Sequence, residues 1–145
     1  MKSDYTEGNA FQWSFFAPHD MDNFISTIGG KKELETRLDT LFTTSSQVDG
    51  EEASGDITGL IGQYAHGNEP SHHMAYLYNW TDSPWKGQER LDQIMQNFYT
   101  NAPDGIIGNE DCGQMSAWYV MSALGFYQIA PGIPVYTLGL SLIHI

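Results

Sequence analysis

An amphipathic helix at residues 31–43 is the feature that most constrains how this chain can fold. Leu34, Leu38, Leu41 and Phe42 recur at i, i+4, i+7 and i+8, which places them on one face of an α-helix. An apolar face of this kind has to be buried against another element. The chain is therefore predicted to build a core in which helices pack on one another.

A shorter helix is predicted just before this one. Asp20 is a suitable N-cap, because its carboxylate can accept backbone N–H bonds in the first turn, and Gly29 and Gly30 can end the helix after Ile28. Residues 45–59, in contrast, are polar and rich in turn-forming residues. They are predicted to form an exposed loop.

Further helices are predicted in the second half of the chain. One begins near Pro70 or Ser71, another at Ser83 with a proline as its first helical residue, and the last spans about 112–124. The last helix is apolar on most sides, which predicts that it is buried. Residues 135–138 are predicted as a strand, within a fold that is mainly α. In the helix predicted near Pro70, the expected buried residues are Met74, Leu77 and Tyr78. In the helix predicted at Ser83 they are Leu91, Ile94, Met95 and Phe98.

Composition excludes several classes of function. With a formal net charge of −12, the chain lacks the clustered Lys and Arg side chains that contact phosphates, so nucleic acid is not an expected partner. No stretch reaches the roughly 18 apolar residues of a membrane span. Acidity of this degree suits a neutral substrate or a divalent cation, and it is equally a common device for solubility.

The segment from Tyr5 to Trp13 contains the first candidate catalytic group. Glu7 stands there among aromatic and amide side chains, a setting that can suit a carboxyl group to act as a general acid. By pattern alone, a surface carboxylate before a turn is the simpler interpretation.

Residues 66–73 form a second unusual segment, in which Asn68 and Glu69 stand among histidines at the start of a predicted helix. His66, Glu69 and His72 are spaced three residues apart, which suggests zinc, but the helical zinc signature HExxH is absent. Calcium or a sugar is the better match to the hard oxygen donors of Asn68 and Glu69. A hydrogen-bonded structural role stays open for each histidine.

Two adjacent acids, Glu110 and Asp111, lie just before the last predicted helix. The dipole at a helix N-terminus favours their ionised forms, which suits a general base or a cation ligand. Capping of the helix by Asp111 is the competing structural interpretation.

Several motifs occur in order along the chain, and their combination is highly specific. They are EGNAFQW, SFFAPHD, HGNEPSHH, YLYNW, PW and GNEDCGQMSAWYVMSALGFY. Together they resemble the α-mannosidases of glycoside hydrolase family 92, and the resemblance covers about residues 4–139.

The resemblance implies an (α/α)6-barrel catalytic domain, a bound calcium ion, and hydrolysis of terminal α-mannosides of glycans with inversion. Glu7 matches the family's general acid and Asp111 its general base, with Asn109 and Glu110 in support. Asn109 stands first in a run that reads Asp-Glu-Asp or Asn-Glu-Asp in the family, so this chain departs from those members that have a further carboxylate there. The implied calcium ligands are Gln12, Asn68 and Glu69, and the implied sugar-binding residues are Trp13, His66, Asn68, Glu69 and His72.

Family members are several times longer than this chain. The resemblance therefore predicts that residues 1–139 are part of a barrel, within a bacterial parent protein that also has an N-terminal β-sandwich domain and is periplasmic or secreted. Residues 140–145 read LSLIHI, which matches a translated sequencing-library adapter, and they are predicted not to be native. A barrel without most of its helices leaves apolar faces uncovered, so the isolated chain is expected to be inactive.

Two other functions stay open at this stage. One is a calcium-dependent carbohydrate-binding protein without catalysis. The other is a zinc hydrolase that uses His66, Glu69 and His72.

Overall fold

The computed structural model describes residues 5–46 and 57–139, and helices are its main elements. Most of the predicted loop at 45–59 and the predicted adapter residues at 140–145 lie outside the described residues. The α-helices are α1 (Ala10–Trp13), α2 (Met21–Ile28), α3 (Lys31–Thr43), α4 (Pro84–Phe98) and α5 (Gln114–Ala123). Two 3₁₀ segments span Glu69–Ser71 and Met74–Trp80, and the strands are β1 (Leu60–Ile61), β2 (Tyr64–Ala65), β3 (Phe126–Tyr127) and β4 (Thr137–Leu138).

Helices α2 and α3 form as predicted. The Asp20 carboxylate accepts the Asn23 N–H at 3.3 Å and caps α2. Gly29 ends that helix with φ at +109°, a left-handed conformation that glycine adopts without a steric penalty. The side chains of α3 that are buried are the predicted Leu34, Leu38, Leu41 and Phe42.

The prediction of an α-helix that begins near Pro70 is wrong, because the segment is 3₁₀-helical. The chain forms 3₁₀ turns at Glu69–Ser71 and Met74–Trp80, and Met74 to Tyr78 are all buried. The predicted single buried face would have left part of this segment in water. Instead, the segment runs through the core and contacts α3, α4 and β4, so that Met74 to Tyr78 are covered on all sides and only its last two residues reach the surface.

Helix α4 begins at Pro84 as predicted, and its Leu91 and Ile94 side chains are buried in the core. Ser83 occupies the N-cap position but makes no side-chain cap hydrogen bond. Lys86 Nζ joins α4 to α3 through ion pairs with Glu35 Oε1 at 2.7 Å and Asp39 Oδ2 at 2.6 Å.

The prediction that the last helix is buried is wrong. Helix α5 buries only Met115, Trp118 and Ser122, whereas Val120 and Leu124 are 55% and 57% exposed. Its apolar residues point in all directions, and the described elements pack against one side of it.

The predicted strand at 135–138 is confirmed in its second half. Strand β4 pairs antiparallel with β3, with Tyr127 opposite Thr137. The antiparallel pair of β1 and β2 was not predicted, because each strand has only two residues. No helix in the described ranges is long and apolar enough to cross a membrane.

Candidate active site

Unusual backbone conformations mark both predicted catalytic carboxylates. Among the non-glycine residues that the structure describes, positive φ angles occur at Glu7 (55°), Asp111 (54°) and Cys112 (57°). Such left-handed conformations cost a non-glycine residue roughly 1–3 kcal/mol and persist only where the surroundings enforce them. Strain of this kind is concentrated at functional sites in proteins, so two of the three outliers support the predicted catalytic pair.

The loop that carries Glu7 is held through its backbone while the Glu7 side chain is exposed. The Asn68 Nδ2 group donates to the Glu7 carbonyl oxygen at 2.6 Å. The Trp13 indole N–H donates to the Thr6 carbonyl oxygen at 3.0 Å. The predicted sugar-binding residues Asn68 and Trp13 therefore both bond to the backbone of the predicted general acid's loop.

Gln12, predicted as a calcium ligand, is part of a capping box at the start of α1. Its Oε1 accepts the Asn9 N–H at 2.8 Å, while Asn9 Oδ1 accepts the Gln12 N–H at 2.9 Å. Its Nε2 donates to the Gln63 carbonyl oxygen at 2.8 Å, which ties α1 to the turn between β1 and β2.

A small cleft brings several of the predicted residues together. Its volume is about 10 Å³, which is room for about one water molecule. Glu69, the other predicted calcium ligand, follows Asn68 directly and is exposed. The residues that line the cleft are Glu7, Gln12, Trp13, Ala65, Asn68, Pro70, Ser71 and Met74.

His66 is fully buried, and both of its ring nitrogens are bonded to tyrosine hydroxyls. Nδ1 lies 2.8 Å from Tyr64 Oη and Nε2 lies 2.7 Å from Tyr99 Oη. Burial lowers the pKa of His66 to about 2, so the ring is neutral near pH 7. The Tyr99 hydroxyl in turn donates to the Met115 carbonyl oxygen at 3.2 Å, which connects this histidine to α5.

His72 is also buried and bonds to α5 directly. Its Nε2 faces the His66 carbonyl oxygen at 3.0 Å, and its Nδ1 lies 3.0 Å from Gln114 Nε2. Burial lowers the pKa of His72 to about 4, and the nearby Asp111 carboxylate opposes that shift. His72 thus contacts the first residue of α5, three residues after the predicted general base Asp111.

The zinc hypothesis finds no support in the part of the chain that the structure describes. Residues 5–46 and 57–139 contain no group of three or more His, Cys, Asp or Glu residues that could hold a metal ion. His66 and His72 have both ring nitrogens bonded to protein groups, whereas Glu69 lies at the surface.

Glu110, rather than Asp111, caps the start of α5. Its carboxylate accepts the Gly113 N–H at 2.6 Å and the Ser116 Oγ–H at 2.7 Å. The Ser116 hydroxyl, followed by the Gly113 N–H, lowers the pKa of Glu110. The Asp111 and Asn109 side chains are exposed beside this cap.

Sequence reasoning missed Gln114, which joins His72 to α5. Gln114 Nε2 also lies 3.2 Å from Tyr127 Oη, so it has polar partners on two other segments. The signal that could have found it is a long amide side chain at the first position of an otherwise apolar helix.

Comparison with known proteins identifies the family of this chain. The sequence-family model of the glycosyl hydrolase family 92 catalytic domain matches residues 1–144. A solved family 92 α-mannosidase from Bacteroides thetaiotaomicron, in complex with mannoimidazole, is 46% identical, with a TM-score of 0.86 over 94% of this chain and 18% of that one. A solved inverting family 92 mannosidase from the same organism is 37% identical, with a TM-score of 0.73 over 93% of this chain and 19% of that one.

A curated relative from the fungus Arthroderma benhamiae is an uncharacterized secreted glycosidase, 28% identical over 130 residues that make up 90% of this chain and 14% of the relative. The chain therefore spans less than a fifth of the length of these relatives. Because the family model matches nearly every residue, the chain belongs to glycosyl hydrolase family 92 and corresponds to part of its catalytic domain.

Proposed function

We propose that this chain is part of an inverting exo-α-mannosidase that removes terminal α-mannose from glycans. The observation that carries the proposal is its 46% identity, over 94% of its length, to a solved α-mannosidase. The left-handed backbone at Glu7 and Asp111 supports the choice of these two carboxylates.

In this proposal, Glu7 is the general acid that protonates the departing glycosidic oxygen. Asp111 is the general base that takes a proton from the water attacking the opposite face of the sugar ring. Inversion requires the two carboxyl groups to lie roughly 6.5–9.5 Å apart, which leaves room for that water. Glu110 supports the base by capping α5, and Asn109 flanks it.

Calcium is the proposed cofactor, with Gln12, Asn68 and Glu69 as its ligands. The donor set fits, because amide and carboxylate oxygens are the ligands that calcium prefers. Asn68 bonds Glu7 through its amide nitrogen, which leaves the amide oxygen outside that bond. Gln12 Oε1 has two lone pairs, of which the Asn9 N–H takes one. A calcium ion held there would ligate sugar hydroxyls.

We further propose that the described helices belong to an (α/α)6 barrel, completed by other parts of a longer bacterial parent chain. An N-terminal β-sandwich domain would belong to that parent as well. Its location is proposed as periplasmic or secreted, in line with the secreted glycosidase to which this chain is similar.

The experimental system that we propose is a full-length chimera, here called the host enzyme. Residues 5–139 of this chain replace the matching segment of the solved B. thetaiotaomicron α-mannosidase, an exchange that the TM-score of 0.86 supports. Activity is measured on an α-mannoside with a good chromophoric leaving group and on a mannobiose, with the anomer of the released sugar followed by NMR.

The test of the proposal is Glu7→Gln in the host enzyme. We expect kcat on mannobiose to fall by roughly 100-fold or more, because a positioned general acid contributes about that much. Sugar affinity should stay within a few-fold, since the amide keeps the size of the carboxyl group. Glu89→Gln, at an exposed position of α4, is the matched control and should keep full activity.

Three results would contradict the proposal. Full turnover by the Glu7→Gln variant would place the acid elsewhere. An unmodified host that binds mannosides with calcium but hydrolyses none would favour the carbohydrate-binding alternative. Zinc in place of calcium in the purified active host, measured by elemental analysis, would favour the zinc hydrolase.

A further inference from the structure

The strained backbone at Glu7 and Asp111 needs neighbours that hold it in place. A left-handed non-glycine residue relaxes unless its surroundings enforce the conformation. Both carboxylates are exposed, so packing around their side chains does not supply that constraint. Hydrogen bonds to the backbone of these residues and to the elements next to them contribute to that constraint.

At Glu7, the proposed general acid, a hydrogen bond from Asn68 holds the backbone. The Asn68 side chain is 5% exposed and donates through Nδ2 to the Glu7 carbonyl oxygen at 2.6 Å, across 61 positions of sequence. The bond therefore fixes the carbonyl of the strained residue itself, and it starts from a side chain that cannot move without disturbing the interior.

On the base side, the Asp111 carbonyl oxygen accepts the Gln114 N–H at 3.2 Å, and His72 holds the Gln114 side chain. Because His72 Nε2 faces the His66 carbonyl oxygen, Nε2 carries the ring proton and Nδ1 is an acceptor. Nδ1 therefore accepts the amide N–H of Gln114, the first residue of α5. The Trp118 indole N–H also donates to the His72 carbonyl oxygen at 3.0 Å, so α5 is held at two points.

Residues 66–73 contain both Asn68 and His72, and most of this segment is buried. His66 and His72 are buried, as is His73, whose Nε2 lies 2.9 Å from the Phe15 carbonyl oxygen. At Gly67, an added Cβ would lie 1.9 Å from Thr58 Oγ1, so residues 66–73 pack closely against the segment that contains Thr58.

We propose that residues 66–73 act as a bridge that sets the relative position of the two catalytic carboxylates, with Asn68 and His72 as its positioning residues. The inference rests on the proposed function and extends it. Asn68 fixes the Glu7 backbone, while His72 fixes the start of α5, three residues after Asp111. An inverting reaction depends on this separation, because the water has to fit between the base and the sugar.

The base side is tested with Gln114→Met in the host enzyme. Methionine keeps the length of glutamine but cannot donate to His72 Nδ1. We expect kcat to fall by roughly 10-fold or more with KM changed less than about threefold, since small displacements of a positioned group cost that much. Gln128→Met is the matched control, because Gln128 donates to the carbonyl oxygen of Ile133, an exposed residue, and it should leave both constants unchanged.

A second variant keeps this test decisive if Gln114→Met does not fold. Trp118→Phe keeps an aromatic ring in the core but removes the donor to the His72 carbonyl oxygen, and it should lower kcat in the same way. A folded Gln114→Met or Trp118→Phe variant with the kcat of the unmodified host would overturn the base side of the proposal.

The acid side is tested with Asn68→Asp. Aspartate keeps an oxygen for a calcium ion but loses the N–H that holds the Glu7 carbonyl. Calcium affinity, measured by calorimetry on the host, should stay equal or rise, whereas kcat at saturating calcium should fall by roughly 10-fold or more. Full recovery of kcat by added calcium would show that Asn68 acts as a ligand alone and would overturn its positioning role.

Failure of the proposed function gives a different result from failure of this inference. An unmodified host that hydrolyses no α-mannoside removes the function and the inference together. An active host whose variants keep their kcat removes only the inference.

Discussion

At the scale of single residues, the Thr58 hydroxyl is a buried polar group in a setting that does not satisfy it. It is buried and has no hydrogen-bond partner among the described residues. An added Cβ at Gly67 would lie 1.9 Å from Thr58 Oγ1, and one at Gly108 2.6 Å from it, so the hydroxyl sits where the 66–73 segment meets the loop before α5. A buried polar group without a partner costs about 1–3 kcal/mol.

Thr58→Val is therefore expected to stabilise the host enzyme by about 1 kcal/mol, because valine has the same shape and no polar atom. The measurement is the thermal unfolding midpoint. Thr36→Val on α3 is the control, and it should be neutral or slightly destabilising, since the Thr36 hydroxyl donates to the Lys32 carbonyl oxygen. A lower midpoint for Thr58→Val would mean that the hydroxyl is hydrogen-bonded in solution.

Glu110 allows a second test at this scale. Replacing it with Gln removes a charged cap, so the first turn of α5 should exchange its amide hydrogens faster at pH 7. The folded state lowers the pKa of Glu110 from its usual 4.5. Its stabilising effect is therefore complete above about pH 4.5 and is lost as pH falls through the lower folded value.

Hydrogen–deuterium exchange of a peptide that covers residues 110–118 measures this effect, after correction for intrinsic rates. The difference between Glu110→Gln and the unmodified host should shrink as the pH falls below about 4.5. Glu89→Gln again serves as the control. Equal exchange at pH 7 in the Glu110→Gln variant and the unmodified host would contradict the capping role.

At the scale of elements, Gly87 allows α4 to approach the Met74–Trp80 segment closely. A Cβ at this position would lie 2.8 Å from the Ala75 carbonyl oxygen and 3.1 Å from Tyr78 Cβ. Two effects oppose each other in a Gly87→Ala substitution. Alanine favours a helix by about 1 kcal/mol over glycine, whereas the clash is with backbone, which cannot move aside cheaply.

We expect the clash to win, with Gly87→Ala destabilising the host enzyme by about 1–3 kcal/mol. The thermal unfolding midpoint is the measurement. Gln88→Ala, the next position of the same helix, is the control and should change the midpoint little. A higher midpoint for Gly87→Ala would show that α4 can shift away from the 3₁₀ segment without cost.

The predictions for whole elements succeeded where one local pattern decided the outcome. Helix α3 follows from four apolar positions on one face, and the ends of α2 follow from Asp20 and Gly29. The prediction for the Met74–Trp80 segment failed because 3₁₀ and α-helical turns have similar sequence patterns. The burial of Met74 to Tyr78 depends on three packed neighbours, which the local pattern does not specify.

At the scale of the whole molecule, a set of apolar side chains near the C-terminal end is open to solvent. Val120, Leu124, Val135, Tyr136 and Leu138 are 55–71% exposed. Large exposed apolar patches on soluble proteins favour association. The relatives are roughly five to six times as long as this chain, so they have further elements that could cover such a surface.

The 145-residue chain expressed alone is expected to self-associate and to turn over no mannobiose. Light scattering after size-exclusion chromatography measures the association. A Val120→Glu/Leu124→Glu double variant should associate less, because charges on this face oppose burial. A monodisperse monomer with measurable turnover would contradict this prediction and would show that the 145-residue chain suffices for activity.

The sequence by itself determined the family, the main helices and the two carboxylates proposed for catalysis, because motifs and periodicity are local properties. Only the tertiary structure decided what surrounds them. Asn68, His66 and His72 each have a partner that lies 61, 33 and 42 positions away, respectively, and no local pattern specifies which distant group satisfies a buried polar atom. The exposure of α5 was decided in the same way, since burial depends on which elements pack against a helix as well as on its own composition.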